Sequence, residues 1–225
     1  MKKRYLVLSF LILILVLSST STFAMSSSPV EEEWEWKTST PEEQGMDSEA
    51  LLGALDYIER QDIDLNSLLV IRNGHIVTEV YYPPHREEDA ANLYSATKSV
   101  LSSLIGIALE EGYLESVDQR VYDFFPQYYS DDMDPRKKEI TIENLLTMTA
   151  GYAIEPYWNI SEATLPERII KRPLINQPGE SFVYDNGSSD LLAVILNEIT
   201  DMTVIDFANE YLFEPMEIDY VPQIT

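Results

Sequence analysis

Hydrophobic positions along the chain change period from block to block. The first block runs from Tyr5 to Leu17, broken only by Ser9, behind a basic head of Lys2, Lys3 and Arg4. Small polar residues 18–22 follow, then Phe23 and Ala24, which leaves Thr22 and Ala24 as the small residues before a cut at Met25. That is the layout of a secretory signal peptide. The run is shorter than the ~20 residues a transmembrane helix takes, and the alternative is an uncleaved N-terminal membrane anchor. Further on, Leu51, Leu52, Leu55 and Ile58 share one helical face, in a helix opened by Asp47 or Ser48 and running to about Gln61. Ser67–Arg72 and His75–Tyr82 read as strands joined by Asn73-Gly74, a strong hairpin signal, and Pro83-Pro84 stops the second. The helical period returns over Ser95–Glu111, with Val100, Leu101, Leu104, Ile105, Ala108 and Leu109 on one face and Gly112 as the stop. Three more helices are expected: Ile140–Met148 introduced by Thr141, Ser188–Thr200, and Thr203–Phe213 stopped near Pro215.

This pattern contains two strands and at least five helices. A lone hairpin is marginal in water and needs further strands or a broad helical contact. Either helices sandwich it, or more strands lie beyond Thr225.

Composition narrows the chemistry. The 225 residues carry 39 acidic and 15 basic side chains, a formal charge of −24, so a nucleic-acid partner is not expected. With no cysteine, thiol catalysis, disulfides, thiolate metal sites and lipid attachment through an N-terminal cysteine are excluded, and two histidines are too few for most histidine metal sites. No metal and no cofactor is expected. Asp131, Asp132 and Asp134 lack the glycine and terminal glutamate of a calcium loop and read as a solvated acidic loop. His75 and His85 read as turn and loop residues, and the aromatic cluster Tyr122, Phe124, Phe125, Tyr128 and Tyr129 as packing. Asn159-Ile160-Ser161 and Asn186-Gly187-Ser188 match glycosylation acceptors, which matter only in a eukaryotic secretory path.

Two segments carry residues suited to nucleophilic chemistry. In Tyr94-Ser95-Ala96-Thr97-Lys98 a serine precedes a lysine by three residues at a helix start, which puts both on one face with Cβ atoms about 5–6 Å apart. Serine needs a base to take its proton, and a lysine of lowered pKa can serve. Taken alone, such a pair is expected about once by chance in a chain this long. In Tyr184-Asp185-Asn186, a tyrosine at a helix entrance can relay protons beside a cation, and an asparagine amide suits a substrate carbonyl. The same triplet also reads as a turn with Asp185, Asn186 or Ser188 as helix cap. Tyr157-Trp158-Asn159 has the same spacing but no helix directly behind it. A third segment, Ile140–Gly151, reads by itself as a capped helix ended by glycine.

In this order the segments resemble the serine β-lactamase and penicillin-binding-protein superfamily. They are most similar to its class C-like branch, which also holds esterases, D-amino-peptidases and 6-aminohexanoate-dimer hydrolases. The helix-start Ser95-x-x-Lys98 follows a helix and a hairpin, Leu145–Gly151 stands for Leu-Leu-Thr-x-Thr-Ser-Gly with Ala150 in the serine place, and Tyr184–Asn186 stands for Tyr-x-Asn. Pro41–Met46, Arg72-Asn73-Gly74 and Phe213-Glu214-Pro215-Met216 add to the match, which covers about residues 34–220. The resemblance implies that Ser95 is acylated, that Lys98 and Tyr184 together deprotonate it and then protonate the leaving group, and that Asn186 contacts the substrate's carbonyl or amide. It implies half of an oxyanion hole from the backbone N–H of Ser95. The family's third motif, Lys-Thr-Gly or His-x-Gly on an edge strand, has no match after Asn186. Lys37-Thr38-Ser39 lies far upstream and is read as coincidence. That strand supplies the other oxyanion donor, whose loss costs on the order of 10²–10³ in rate.

The expected fold is therefore α/β (α+β), β-lactamase/transpeptidase-like: an antiparallel sheet flanked by helices plus a helical domain, with the site between them and the C-terminal part missing. Residues 1–24 would be the signal, 25–46 an extended arm with Trp34 and Trp36 as anchors, 47–93 the N-terminal part of the sheet domain, and 94–225 the helical domain. The expected function is an exported serine hydrolase acting on a small-molecule or peptide ester or amide, leaning to esterase or small-amide hydrolase on resemblance alone. Stable membrane insertion is not expected once the signal is cleaved. The rival is a non-catalytic or truncated relative that binds peptide or cell-wall material without turnover.

Overall fold

A computed structural model describes residues 36–154 and 165–218. The expected signal segment, Trp34 and the Tyr157-Trp158-Asn159 and Asn159-Ile160-Ser161 triplets lie outside the described residues. The chain divides into two units, one with the described residues up to Asp56 plus Leu69–Thr78, the other with Tyr57–Leu68 and the described residues from Glu79 onward.

Strands β1 (Lys37–Thr38), β2 (Ser67–Arg72) and β3 (His75–Tyr81) form a mixed sheet in the order β1-β3-β2, and β1, Leu69–Arg72 of β2 and His75–Thr78 of β3 fall in the first unit. Asn73 and Gly74 both have positive φ, 53° and 75°, which is what a two-residue turn matching the right-handed twist of a hairpin demands. β1 was not expected as a strand. It runs parallel to β3, Lys37 opposite His75 and Thr38 opposite Ile76, and Ser39 N–H donates to Ile76 O. Helix α1 (Ser48–Arg60) opens where the Asp47 carboxylate accepts the Glu49 N–H. Two of the motifs behind the resemblance meet here. Gly45, left-handed at φ 68°, ends a short turn, and its carbonyl accepts from Arg72, while Asn73 Nδ2 donates to Gln44.

In the second unit, helix α2 (Thr97–Glu110) follows a 3-10 turn, Tyr94–Ala96. Leu101, Leu104, Ile105 and Ala108 of α2 are buried, so the face read from the spacing is the face that packs. Short helix α3 (Val121–Phe124) comes next. Helix α4 (Ile142–Leu146) is held by a reciprocal cap in which Thr141 Oγ1 accepts the Asn144 N–H and Asn144 Oδ1 accepts the Thr141 N–H. Helices α5 (Leu165–Lys171) and α6 (Asn186–Thr200) follow. The expected helix over Thr203–Phe213 is split. α7 (Val204–Ala208), capped by Thr203, passes into a π-helical turn at Asn209–Phe213 and a 3-10 turn over Glu214–Met216 that takes in Pro215. Among these, α6 is central and packs on α2, α4 and α5. Leu191, Leu192, Ile195 and Leu196 join the α2 face, Ile142, Leu145, Ile169, Ile170 and Phe207 in one apolar core. Burial of that many large aliphatic side chains, each worth roughly 1.5–3 kcal/mol, is what fixes α6 against α2.

The loop aromatics pack as expected: Phe125 is buried and the Tyr122 and Tyr129 rings meet edge to face at 5.0 Å. In the acidic loop, Asp134 is bound to Arg136 and Asp132 accepts from Ser130. No group of acidic or histidine side chains among the described residues is arranged to hold a metal ion. Among the described residues no helix is long and apolar enough to cross a membrane.

Candidate active site

Ser95, Lys98 and Tyr184 come together within the second unit. Ser95 Oγ lies 2.6 Å from Tyr184 Oη, where either hydroxyl can donate, and Lys98 Nζ donates to Ser95 Oγ at 3.2 Å. The Lys98 ammonium also sits 5.2 Å from the centre of the Tyr184 ring. Local structure explains half of this. Ser95 lies in the 3-10 turn and Lys98 in the first turn of α2, so the helical spacing does bring amine to hydroxyl. Tyr94, just before the serine, has φ 45° and is 80% exposed, so Ser95, itself exposed, follows a sharply turned backbone.

The other half is long-range. Tyr184 arrives on an extended piece whose Val183 N–H donates to Met148 O at 2.9 Å. Met148 has φ 55°, Gly151 φ 84°, and the carbonyl of Gly151 accepts from Ile175 and Asn176. Gly179 N–H donates to Thr149 O. The segment after α4 is thus more than a helix with a glycine stop: its turn is the cradle on which residues 174–184 are laid. Immediately after Tyr184, Asp185 caps α6 and accepts from the Gly187 and Ser188 N–H groups. Of the three candidate caps, the structure selects Asp185.

The electrostatics favour an ionisable tyrosine. The hydrogen bond with Ser95, then that with Lys98 and its positive charge, hold the Tyr184 phenol below the ordinary tyrosine pKa of 10.0. Asn186 is exposed on the first turn of α6, and the described hydrogen bonds of the site do not include it. His75 stays with its own hairpin, Nδ1 3.0 Å from Asn73 O.

One buried pair had no sequence signal. Arg172 and Asp185, with side chains 2% and 5% exposed, meet through the two terminal guanidinium nitrogens, Nη1 and Nη2, at 2.9 and 2.8 Å. Nothing in Lys171-Arg172-Pro173 marks the arginine as buried. Asp185 was legible only as a possible cap. Burial alone would raise the Asp185 pKa, but the Arg172 hydrogen bonds and charge, with Ser188 and Gly187, outweigh it and hold the carboxylate below its ordinary value.

Comparison with known proteins gives these residues a setting. The Beta-lactamase family model matches residues 42–219. A protein of Salmonella agona provisionally named D-alanyl-D-alanine carboxypeptidase is 26% identical over 215 residues, covering 81% of this chain and 49% of that protein. The chain spans about half the length of the curated relatives it matches. Among solved structures, a class C β-lactamase from Rhodobacter sphaeroides superposes with a TM-score of 0.61 at 20% identity, covering 79% of this chain and 52% of that one. EstCE1, a hydrolase with promiscuous acyltransferase activity, does so with a TM-score of 0.58 at 18% identity, covering 75% and 52%. At these identities the structures speak for the β-lactamase/transpeptidase-like fold.

Proposed function

Since the chain belongs to the β-lactamase family, we propose that it is a serine hydrolase that cleaves an ester or amide through an acyl-enzyme on Ser95. The observation that carries this reading is the three-membered contact itself, Tyr184 Oη at 2.6 Å and Lys98 Nζ at 3.2 Å from one serine oxygen. Both distances are within direct proton-transfer reach.

Of the two candidate bases, Tyr184 has the shorter contact, and its phenol ionises more readily than an ordinary one. In this reading the Tyr184 phenolate takes the Ser95 proton while Lys98 holds positive charge against it. The serine oxygen attacks the substrate carbonyl carbon, and the carbonyl electron pair moves onto oxygen, where the Ser95 backbone N–H is one donor. Collapse of the tetrahedral species breaks the bond to the leaving alcohol or amine, which takes the proton back from Tyr184. Water then attacks the acyl carbon and gives a proton to the same tyrosine; collapse breaks the bond to Ser95 Oγ, which takes that proton from Tyr184, so the acid leaves and both Ser95 and the phenolate are restored. In the same reading Asn186, two residues beyond Tyr184, grips the substrate's amide or carbonyl. The N-terminal pattern supports export, with cleavage before Met25. The acidic balance supports a small or neutral substrate over a polyanion.

The test is a fluorophosphonate and a fluorescent penicillin, each incubated with the wild type and with Ser95→Ala. Covalent label on the wild type, lost in the variant and mapped to Ser95, is the expected result. A wild type marked by neither reagent refutes the hydrolase reading and leaves the rival, a module that binds peptide or cell-wall material without turnover.

A further inference from the structure

We infer that Arg172 is a positioning residue for Tyr184: by clamping Asp185 it fixes the backbone on which the tyrosine hydroxyl reaches Ser95. This rests on the reading of Tyr184 as the proton carrier. Tyr184 is 48% exposed, so the core does not lock its ring. Its place is set by the residues on either side. On one side, Val183 is tied to Met148 O. On the other, the Asp185 carboxylate receives the Gly187 N–H at 3.1 Å, the Ser188 N–H at 3.0 Å, the Ser188 hydroxyl at 2.9 Å and both ends of the Arg172 guanidinium.

Arg172 is itself anchored. Its Nε donates to Ile169 O and its Nη1 to Ala153 O, each at 3.3 Å, and its guanidinium carbon lies 4.9 Å from the centre of the Tyr152 ring. One side chain therefore joins the end of α5, the segment after Gly151 and the start of α6, next to the proton carrier. A helix cap by itself does not call for this. An aspartate caps a helix in contact with water, and a buried ion pair is often no better for stability than apolar residues of the same volume. What a bidentate guanidinium adds is orientation, because its planar fork matches a carboxylate in one geometry. That orientation is transmitted to the adjoining residue. Packing agrees: a Cβ built on Gly187 would stand 2.6 Å from Arg172 Nη2, so the helix start has room for this arginine only because residue 187 has no side chain.

The experiment uses the full chain carrying tyrosine labelled with carbon-13 at Cζ, with Tyr184→Phe to assign the Tyr184 resonance. Arg172→Lys keeps the charge and loses the fork. Arg172→Met with Asp185→Asn removes both charges, keeps a capping side chain, and avoids stranding a buried carboxylate if the single Arg172→Met does not fold. Positioning predicts that in both variants the Tyr184 titration moves up toward the ordinary value, with the smaller move for Arg172→Lys. It also predicts that fluorophosphonate labelling of Ser95 slows at least about tenfold, while Arg172→Lys added to Tyr184→Phe slows it less than about twofold further. The inference is overturned if the variants melt earlier yet leave the Tyr184 titration and the labelling rate as in wild type, or if the Arg172 and Tyr184 effects multiply. A wild type that never labels refutes the acyl-enzyme reading alone, and the titration still decides the role of Arg172.

Discussion

Replacing Gly151 with alanine tests the cradle that carries Tyr184. Gly151 has φ 84°, and a Cβ there would stand 2.6 Å from the backbone oxygen of Asn176 and 3.2 Å from its carbonyl carbon. The new methyl meets backbone, not the movable end of a side chain, and that backbone is tied to Gly151 O through the Ile175 and Asn176 N–H groups. Two costs add. A side chain in the left-handed region costs about 1–2 kcal/mol. Forcing a methyl against a fixed backbone costs about 1–3 kcal/mol. The sum is about 2–5 kcal/mol, or a fall in Tm of roughly 4–20 °C for a domain of this size. Gly112 supplies the control, since it has φ 78° but nothing within 4 Å of its would-be Cβ, so Gly112→Ala meets the conformational cost without the clash. The assay is urea and thermal unfolding of both variants beside the wild type, read by circular dichroism. Gly151→Ala should cost more than Gly112→Ala and should slow Ser95 labelling as residues 176–184 shift. If the two variants cost the same, or if Gly151→Ala is neutral within ~0.5 kcal/mol, the close approach of the two segments is refuted.

Tyr184→Phe removes the hydroxyl at 2.6 Å from Ser95 and should slow Ser95 labelling by about 10²–10⁴, the usual worth of a general base, with little change in Tm; a rate within threefold of wild type would exclude the phenol. Because Tyr184 ionises below the ordinary value of 10.0, labelling should rise with pH with its midpoint below 10.0, and Lys98→Met, which removes a hydrogen bond and a positive charge, should move that midpoint to higher pH in a stopped-assay pH series. Asp185 has a folded pKa below its ordinary 3.8, so its contribution to stability is complete above about that pH and disappears as pH falls through the lower folded value. Urea melts from pH 7 to pH 2 should show a loss of stability in this acid window that is smaller in Asp185→Asn.

Much of the helical scaffold was legible because its apolar residues recur at a helical period on faces that are in fact buried, as in α2 and α6. The hairpin was legible because Asn-Gly has one good use between two alternating runs. Ser95 and Lys98 were legible as a local pair, and Tyr184 by its place ahead of a helix. β1 was not, since a two-residue strand has no period, and its pairing with β3 depends on residues far along the chain. The split of the last helix at Asn209 was hidden because the π-helical turn keeps its residues on a nearly helical path. Arg172 was hidden for another reason. A charged residue gives no sign of burial until its partner is known, and Asp185 reads equally well as a plain cap. The left-handed backbone at Met148 was likewise invisible, because methionine has no preference for it and only the surrounding hydrogen bonds hold it there.

The hydrogen bond between Ser95 and Tyr184 joins residues 89 apart in sequence. Loop closure over that distance comes late, after local helices form. If Ser95 is the acylated residue proposed above, an unfolded or half-folded chain carries only an ordinary serine and should stay unlabelled. Under the proposed mechanism, reactivity at Ser95 begins only when α6 has docked and brought the phenol with it. The rate at which a refolding chain becomes labelled would serve as a clock for that docking, read from a single covalent event and independent of any spectroscopic signal from the rest of the molecule.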